Sequence, residues 1–86
     1  MTTEKIQIQI LLFGACRESA NVSDTTCELA VTANVASAWE SLIAQHPALQ
    51  TFERSVLFAV NEEHAPRTQA LQAGDVLAIF PPVSGG

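Results

Sequence analysis

Two consecutive glycines, Gly85 and Gly86, end the chain behind Phe80-Pro81-Pro82-Val83-Ser84, and the group they present is an α-carboxylate. Glycine lacks Cβ and reaches backbone conformations closed to other residues, so Gly85 and Gly86 suit a main chain that threads a channel too narrow for side chains. A carboxylate at neutral pH is ionised and a poor electrophile, because its charge is shared by two oxygens. It needs activation before another group can replace its oxygen. Attack by the Gly86 carboxylate on the α-phosphate of ATP would give a mixed anhydride with AMP as a good leaving group.

The chain holds no nucleotide site for that activation. Its four glycines, at positions 14, 74, 85 and 86, exclude a G-x-x-x-x-G-K-[ST] phosphate loop, and no acidic pair has Mg²⁺-site spacing. No autonomous catalysis is expected, no cofactor is expected to be bound by this chain alone, and ATP with its Mg²⁺ belongs to an activating partner. Pro81 and Pro82 restrict the tail and so lower the entropy lost when it is inserted, although a proline pair after a strand also serves as plain punctuation.

The other reactive side chains argue for less. Cys16, Cys27, His46 and His64 are scattered, without the short ligand-pair spacing of a zinc site, and no metal is expected. The two cysteines lack a C-x-x-C spacing and read as small buried apolar side chains in a reducing compartment. No Cys-His nucleophilic pair is indicated.

The elements that must carry the tail are legible from periodicity. Ile6, Ile8, Ile10 and Leu12 alternate with Gln7, Gln9 and Leu11, the period of a strand with one core face, and the second face turns apolar toward its end, as in a central strand. Gly14 breaks the run, and residues 15–20 make a short helical turn. A second strand is expected near Thr26 to Val31. Val35, Ala38, Trp39, Leu42 and Ile43 form one helical stripe over Val35 to Gln45, with Asn34 as N-cap, Pro47 as terminator and Trp39 as core anchor. Ala48 to Arg54 reads as a loop or short turn. Val56 to Val60 is a buried strand, Asn61-Glu62-Glu63-His64 a polar turn with Glu62 and Glu63 solvated, and Val76 to Phe80 the last strand, closed by Pro81. The order gives an α+β domain, one main helix across a mixed sheet, over residues 1–80, followed by an extended tail over 81–86.

Composition bounds the partners. The 86 residues include 48% hydrophobic side chains, enough for one small core. Nine acidic against four basic residues leave a net charge of -5, which disfavours nucleic acid and anionic membranes and suits a protein with a basic docking face. No apolar run approaches the ~20 residues of a membrane span, and Met1-Thr2-Thr3-Glu4-Lys5 is unlike a signal peptide, so a cytoplasmic location is expected.

The Phe80-to-Gly86 tail, with Gly74-Asp75-Val76, Ala59-Val60-Asn61 and Leu12-Phe13-Gly14-Ala15-Cys16-Arg17-Glu18, resembles the small, sulfur-carrying subunits of molybdopterin synthases over nearly the full length. The resemblance implies a ubiquitin-like β-grasp fold whose first and last strands pair in parallel at the sheet centre. It implies that Gly86 is adenylated by an E1-like enzyme, converted to a thiocarboxylate, and inserted into a large synthase subunit, as part of a heterotetramer, to build the dithiolene of molybdopterin. Gly85, Ser84, Val83, Pro82 and Pro81 would give the tail access. Phe80, Phe13 and Arg17 would meet partners, although each phenylalanine reads equally as core and Arg17 also reads as a solvated surface residue. His64 departs from the resemblance, which puts an apolar residue there. Two other readings stand beside it: a carrier for the thiamine thiazole ring, favoured less by the Pro-Pro-Val-Ser lead-in, and a ubiquitin-like modifier joined through Gly86 to a lysine.

Overall fold

A computed structural model describes residues 4–82. Five strands form one mixed sheet in the order β2-β1-β5-β3-β4: β1 Lys5–Leu12, β2 Asp24–Ala30, β3 Leu57–Val60, β4 Glu63–His64 and β5 Val76–Phe80. Helix α1 covers Gly14–Ala20, helix α2 Val35–Gln45, and a 3₁₀ segment Pro47–Phe52 follows α2. β1 and β5 pair in parallel inside the sheet, with Leu11 opposite Ala78 and Leu12 opposite Ile79, the arrangement that the resemblance implied.

The alternation in β1 appears as expected: Ile6, Ile8, Ile10 and Leu12 are buried, while Lys5, Gln7 and Gln9 are exposed. Leu77 and Ile79 of β5 and Phe58 and Val60 of β3 join the same core, against Val35, Ala38, Trp39 and Leu42 of α2. Asn34 caps α2 through Oδ1, which accepts from the Ser37 N–H at 2.9 Å. The Ser37 hydroxyl answers by accepting from the Asn34 N–H, closing a capping box worth about 1 kcal/mol.

Three local expectations are corrected. The stretch read as a loop or short turn from Ala48 to Arg54 holds most of a six-residue 3₁₀ segment, because Pro47 sits at its first turn and Leu49 buries completely. The second strand lies two residues earlier at its start than Thr26, and Val31 is exposed beyond its end, because pairing with β1 runs from Asp24 to Ala30. The four-residue turn at Asn61–His64 is a two-residue turn, since Glu63 and His64 already pair with Val60 and Ala59.

Trp39 is fully buried, as its place on the apolar stripe demands, and its polar edge has a partner that periodicity does not reveal. Its indole N–H donates to Glu53 Oε2 at 2.9 Å, and its ring meets Phe58 edge-on at 5.7 Å. Arg67 donates to the Glu53 carboxylate and to the Glu53 carbonyl, with its guanidinium 5.4 Å from the Phe58 ring centroid. The network ties α2, the end of the 3₁₀ segment and the loop before β5 together.

Candidate functional site, an apolar groove at the root of the tail

The sheet face away from α2 is where the register concentrates unusual residues. Residues directly opposite one another across a ladder project to the same face. Leu11 pairs with Ala78, Ala78 with Ala59 and Ala59 with His64, so one row crosses four strands on the open face. The two middle places of that row are alanines. Small side chains between larger neighbours leave a trough, with Ala78 and Ala59 as its floor. Ala59 is buried yet stands apart from the core cluster, as a floor residue should.

Leu11 and Phe13 form one wall of this groove, and Asn61, Glu62 and His64 the other. Toward the tail it is bounded by the Leu57–Phe80 pair and by Pro81 and Pro82. On the same face Lys5, Gln7 and Gln9 of β1 are polar, as are Glu28 and Thr26 opposite Gln7 and Gln9 on β2, and Lys5 and Glu28 form a surface ion pair at 3.8 Å. The apolar area is thus confined to the half of the sheet from which the tail departs.

Phe13 lies one residue beyond β1, as the N-cap of α1, and is a surface residue at 41% exposure. Its ring stacks on Phe80, with centroids 4.9 Å apart and planes 8° from parallel. Its N–H donates to the Ile79 carbonyl at 3.1 Å, which extends the β1–β5 pairing by one step and fixes where the ring stands. Gly14 then turns the chain into α1 with φ of +54°, and a Cβ there would stand 3.0 Å from Pro81 Cγ. Glycine is therefore required twice at this place, once by the backbone angle and once by the close approach of the tail's first residue.

At the other end of the groove, Asn61 joins β3 to β5. Its side-chain oxygen accepts from the Val76 N–H at 3.0 Å, its amide donates to Asp75 at 3.0 Å, and its backbone N–H donates to the Val76 carbonyl at 2.9 Å. Asp75 also accepts from the Gln72 N–H, closing the turn that leads into β5.

Of the residues singled out from sequence, the structure brings Phe13, Phe80, Pro81 and Pro82 to one groove. Arg17 is exposed on α1, does not line the groove, and forms no ion pair among the described residues. Val83, Ser84, Gly85 and Gly86 lie outside the described residues. Leu11, Leu57, Ala59, Ala78, Glu62 and Gly14 were not recognised as site residues from sequence. The signal available was the second apolar face of β1 and two alanines inside strand runs rich in larger side chains, and it becomes legible only with the register.

Both cysteines are buried and free, and burial pushes the Cys16 thiol upward from its ordinary value. Cys27 faces the Ser41 hydroxyl at 3.6 Å. Among the described residues no group of three or more His, Cys, Asp or Glu is arranged to hold a metal, and no helix is long and apolar enough to cross a membrane. What this surface offers chemically is docking, immediately beside the place where the chain leaves the sheet.

The ThiS family model matches residues 10–86. The chain belongs to the ThiS family. This ThiS-family chain is 41% identical to a molybdopterin synthase sulfur carrier subunit of Chlamydomonas reinhardtii, over 94% of its own length and all of the relative's. It is 33% identical to the Arabidopsis thaliana protein of the same name, over 98% and 88%. The crystal structure of SAMP1 from Haloferax volcanii superposes with a TM-score of 0.82 at 32% identity, covering 93% of this chain and 99% of that one. The ThiS-family member described here has the ubiquitin-like β-grasp fold.

Proposed function

We propose that this chain is the sulfur carrier of a molybdopterin synthase, with Gly86 as the atom-bearing residue and the Ala59–Ala78 groove as the surface that seats it on its partners. The observation that carries the reading is the 41% identity to a sulfur carrier subunit along that relative's whole length. The structure supports it by an apolar groove that ends at Pro81 and Pro82, where the tail begins.

The chemistry proceeds at the Gly86 carboxyl, inside partners. In an E1-like adenylating enzyme a carboxylate oxygen attacks the α-phosphate of ATP, pyrophosphate leaves, and the acyl carbon gains AMP as a leaving group. A persulfide sulfur then displaces AMP and leaves an acyl disulfide. A second thiol cleaves its S–S bond, becoming a disulfide itself, and the thiocarboxylate remains. In the large synthase subunit that sulfur, a soft nucleophile, is given to the pterin precursor, and Gly86 returns to a carboxylate after hydrolysis of the acyl bond. Two such deliveries complete the dithiolene, and two carriers on a dimer of large subunits make the heterotetramer.

What this chain contributes is positioning. The Phe13–Phe80 stack and the packing of Pro81 on Gly14 set the direction in which the chain leaves the sheet. The alanine floor gives a partner side chain room to enter. A cytoplasmic setting is part of the proposal, supported by two free thiols.

A second reading has its own support. The chain is 34% identical to small archaeal modifier protein 1 of Haloferax volcanii, which favours a ubiquitin-like modifier joined through Gly86. Intact-mass analysis of the protein from sulfur-sufficient cells separates the two. A carrier shows one oxygen replaced by sulfur, whereas a modifier appears as larger covalent adducts. Deletion of Gly86 then tests the carrier directly: conversion of precursor with purified large subunit and a sulfide source is lost, while melting temperature stays unchanged. Full conversion by the deletion variant refutes the reading.

A further inference from the structure

The β3–β4 turn is built on a residue that the backbone does not favour. Val60 and Glu63 pair across a two-residue turn whose central residues, Asn61 and Glu62, have φ of +51° and +73°. A pair of positive φ angles is the mark of a type I′ turn, whose second central place is cheapest with glycine. Asn61 suits its place, and its side chain is committed to Val76 and Asp75. Glu62 does not suit its place, since an L-residue with Cβ in the left-handed region costs roughly 1–2 kcal/mol.

No contact of its own side chain among the described residues offsets that cost. Glu62 is exposed and accepts no hydrogen bond or ion pair from any described residue. Its position is nonetheless specific. It stands on the groove wall beside His64, facing Leu11 and Phe13 across the alanine floor, and it is the one carboxylate among the described lining residues. A left-handed residue on the groove wall whose side chain has no partner among the described residues points to a contact made only in the complex.

We propose that Glu62 is a partner-recognition residue, held in the left-handed conformation so that its carboxylate meets an arginine or lysine of the protein whose apolar element fills the groove. The inference rests on the sulfur-carrier reading, with the large synthase subunit as that protein. Apolar contact over Ala59 and Ala78 supplies contact area but little orientation. A charge pair at one wall fixes which way the partner's element lies, and with it the line along which the tail enters. The net charge of -5 makes a cationic counterpart the complementary one.

The test compares Glu62→Gly and Glu62→Gln with the unaltered chain, measuring melting temperature and the dissociation constant with purified large subunit at low and high salt. Glu62→Gly relieves the backbone, and its melting temperature rises by about 2–6 °C. Glu62→Gln keeps the side chain's size and stays within about 2 °C of the unaltered protein. Both variants bind the large subunit about 3- to 10-fold more weakly at low salt, and both lose part of the salt dependence of affinity. A turn residue with only a structural part to play leaves that salt dependence unmoved. Affinity within twofold of the unaltered chain in both variants, at both salt concentrations, overturns the proposal. If the unaltered chain itself fails to bind the large subunit, the sulfur-carrier reading falls, and this assignment of Glu62 falls with it.

Discussion

Phe13 and Phe80 stack face to face, with centroids 4.9 Å apart, although one precedes α1 and the other ends β5. The pair joins the neighbouring strands β1 and β5 at the end of the sheet where the tail departs. Phe13 keeps 41% of its surface exposed there, so its large apolar ring is presented rather than stored. Replacing Phe13 with alanine is expected to cost little stability, about 1 kcal/mol, because a large part of its surface already faces water. Affinity for the large synthase subunit falls about 10-fold or more, as for an aromatic anchor at the centre of an interface. Chemical denaturation and titration calorimetry measure the two effects separately.

Gly14→Ala tests the root of the tail. The added Cβ meets a φ of +54° and a Pro81 ring carbon at 3.0 Å. A loss of about 1–2 kcal/mol from the backbone angle is expected, together with displacement of Pro81. Sulfur transfer should slow by more than the loss of folded protein explains, which single-turnover assays with pre-formed thiocarboxylate reveal.

Filling the groove floor separates docking from folding. Ala78→Leu adds three carbons to a half-buried position on the open face, outside the core cluster. The folded state tolerates them, with a melting temperature within about 5 °C of the unaltered protein. Binding of the large subunit weakens by about 10-fold or more, since the space a partner side chain would occupy is gone. Unimpaired binding by this variant removes the groove from the docking surface.

Glu53 contributes to the acid limb of stability. The Trp39 indole N–H holds its carboxyl below the ordinary value of 4.5, helped by Arg67 and opposed by partial burial. A depressed folded pKa means that stability is fully present above the unfolded value and is lost as pH falls through the folded one. Unfolding followed from pH 7 down to pH 2 should show this loss below about pH 4.5, and Glu53→Gln should flatten it. Glu53→Ala is the more damaging change, at about 1–3 kcal/mol, because it strands the N–H of a fully buried Trp39.

The cysteines are expected to be spectators in transfer. Cys16 is fully buried and its thiol is pushed upward by burial, so the nucleophilic thiolate is scarce at neutral pH. A Cys16→Ala/Cys27→Ala double variant retains sulfur transfer at the unaltered rate per folded molecule. Abolished transfer with an intact fold would place a thiol in the mechanism.

The sequence by itself determined most of the elements and holds the residues on which the proposed chemistry rests. The β1 alternation, the α2 stripe with Asn34 and Pro47, and the apolar run of β5 are local patterns, set by backbone periodicity and by φ restrictions that act within a few residues. The diglycine and the proline pair carry the tail's meaning in the same local way. Tertiary structure alone decided the groove. Ala59, Ala78, Leu11 and His64 are ordinary residues until the order β1-β5-β3-β4 and one register set them in a row, and slipping β3 or β5 by a single residue would turn its alanine into the core. The same holds for Phe13, whose exposure follows from its hydrogen bond to Ile79, and for Glu53, whose bond to Trp39 spans 14 residues of sequence. Periodicity reports which face a residue prefers. Only pairing between distant segments fixes what that face meets.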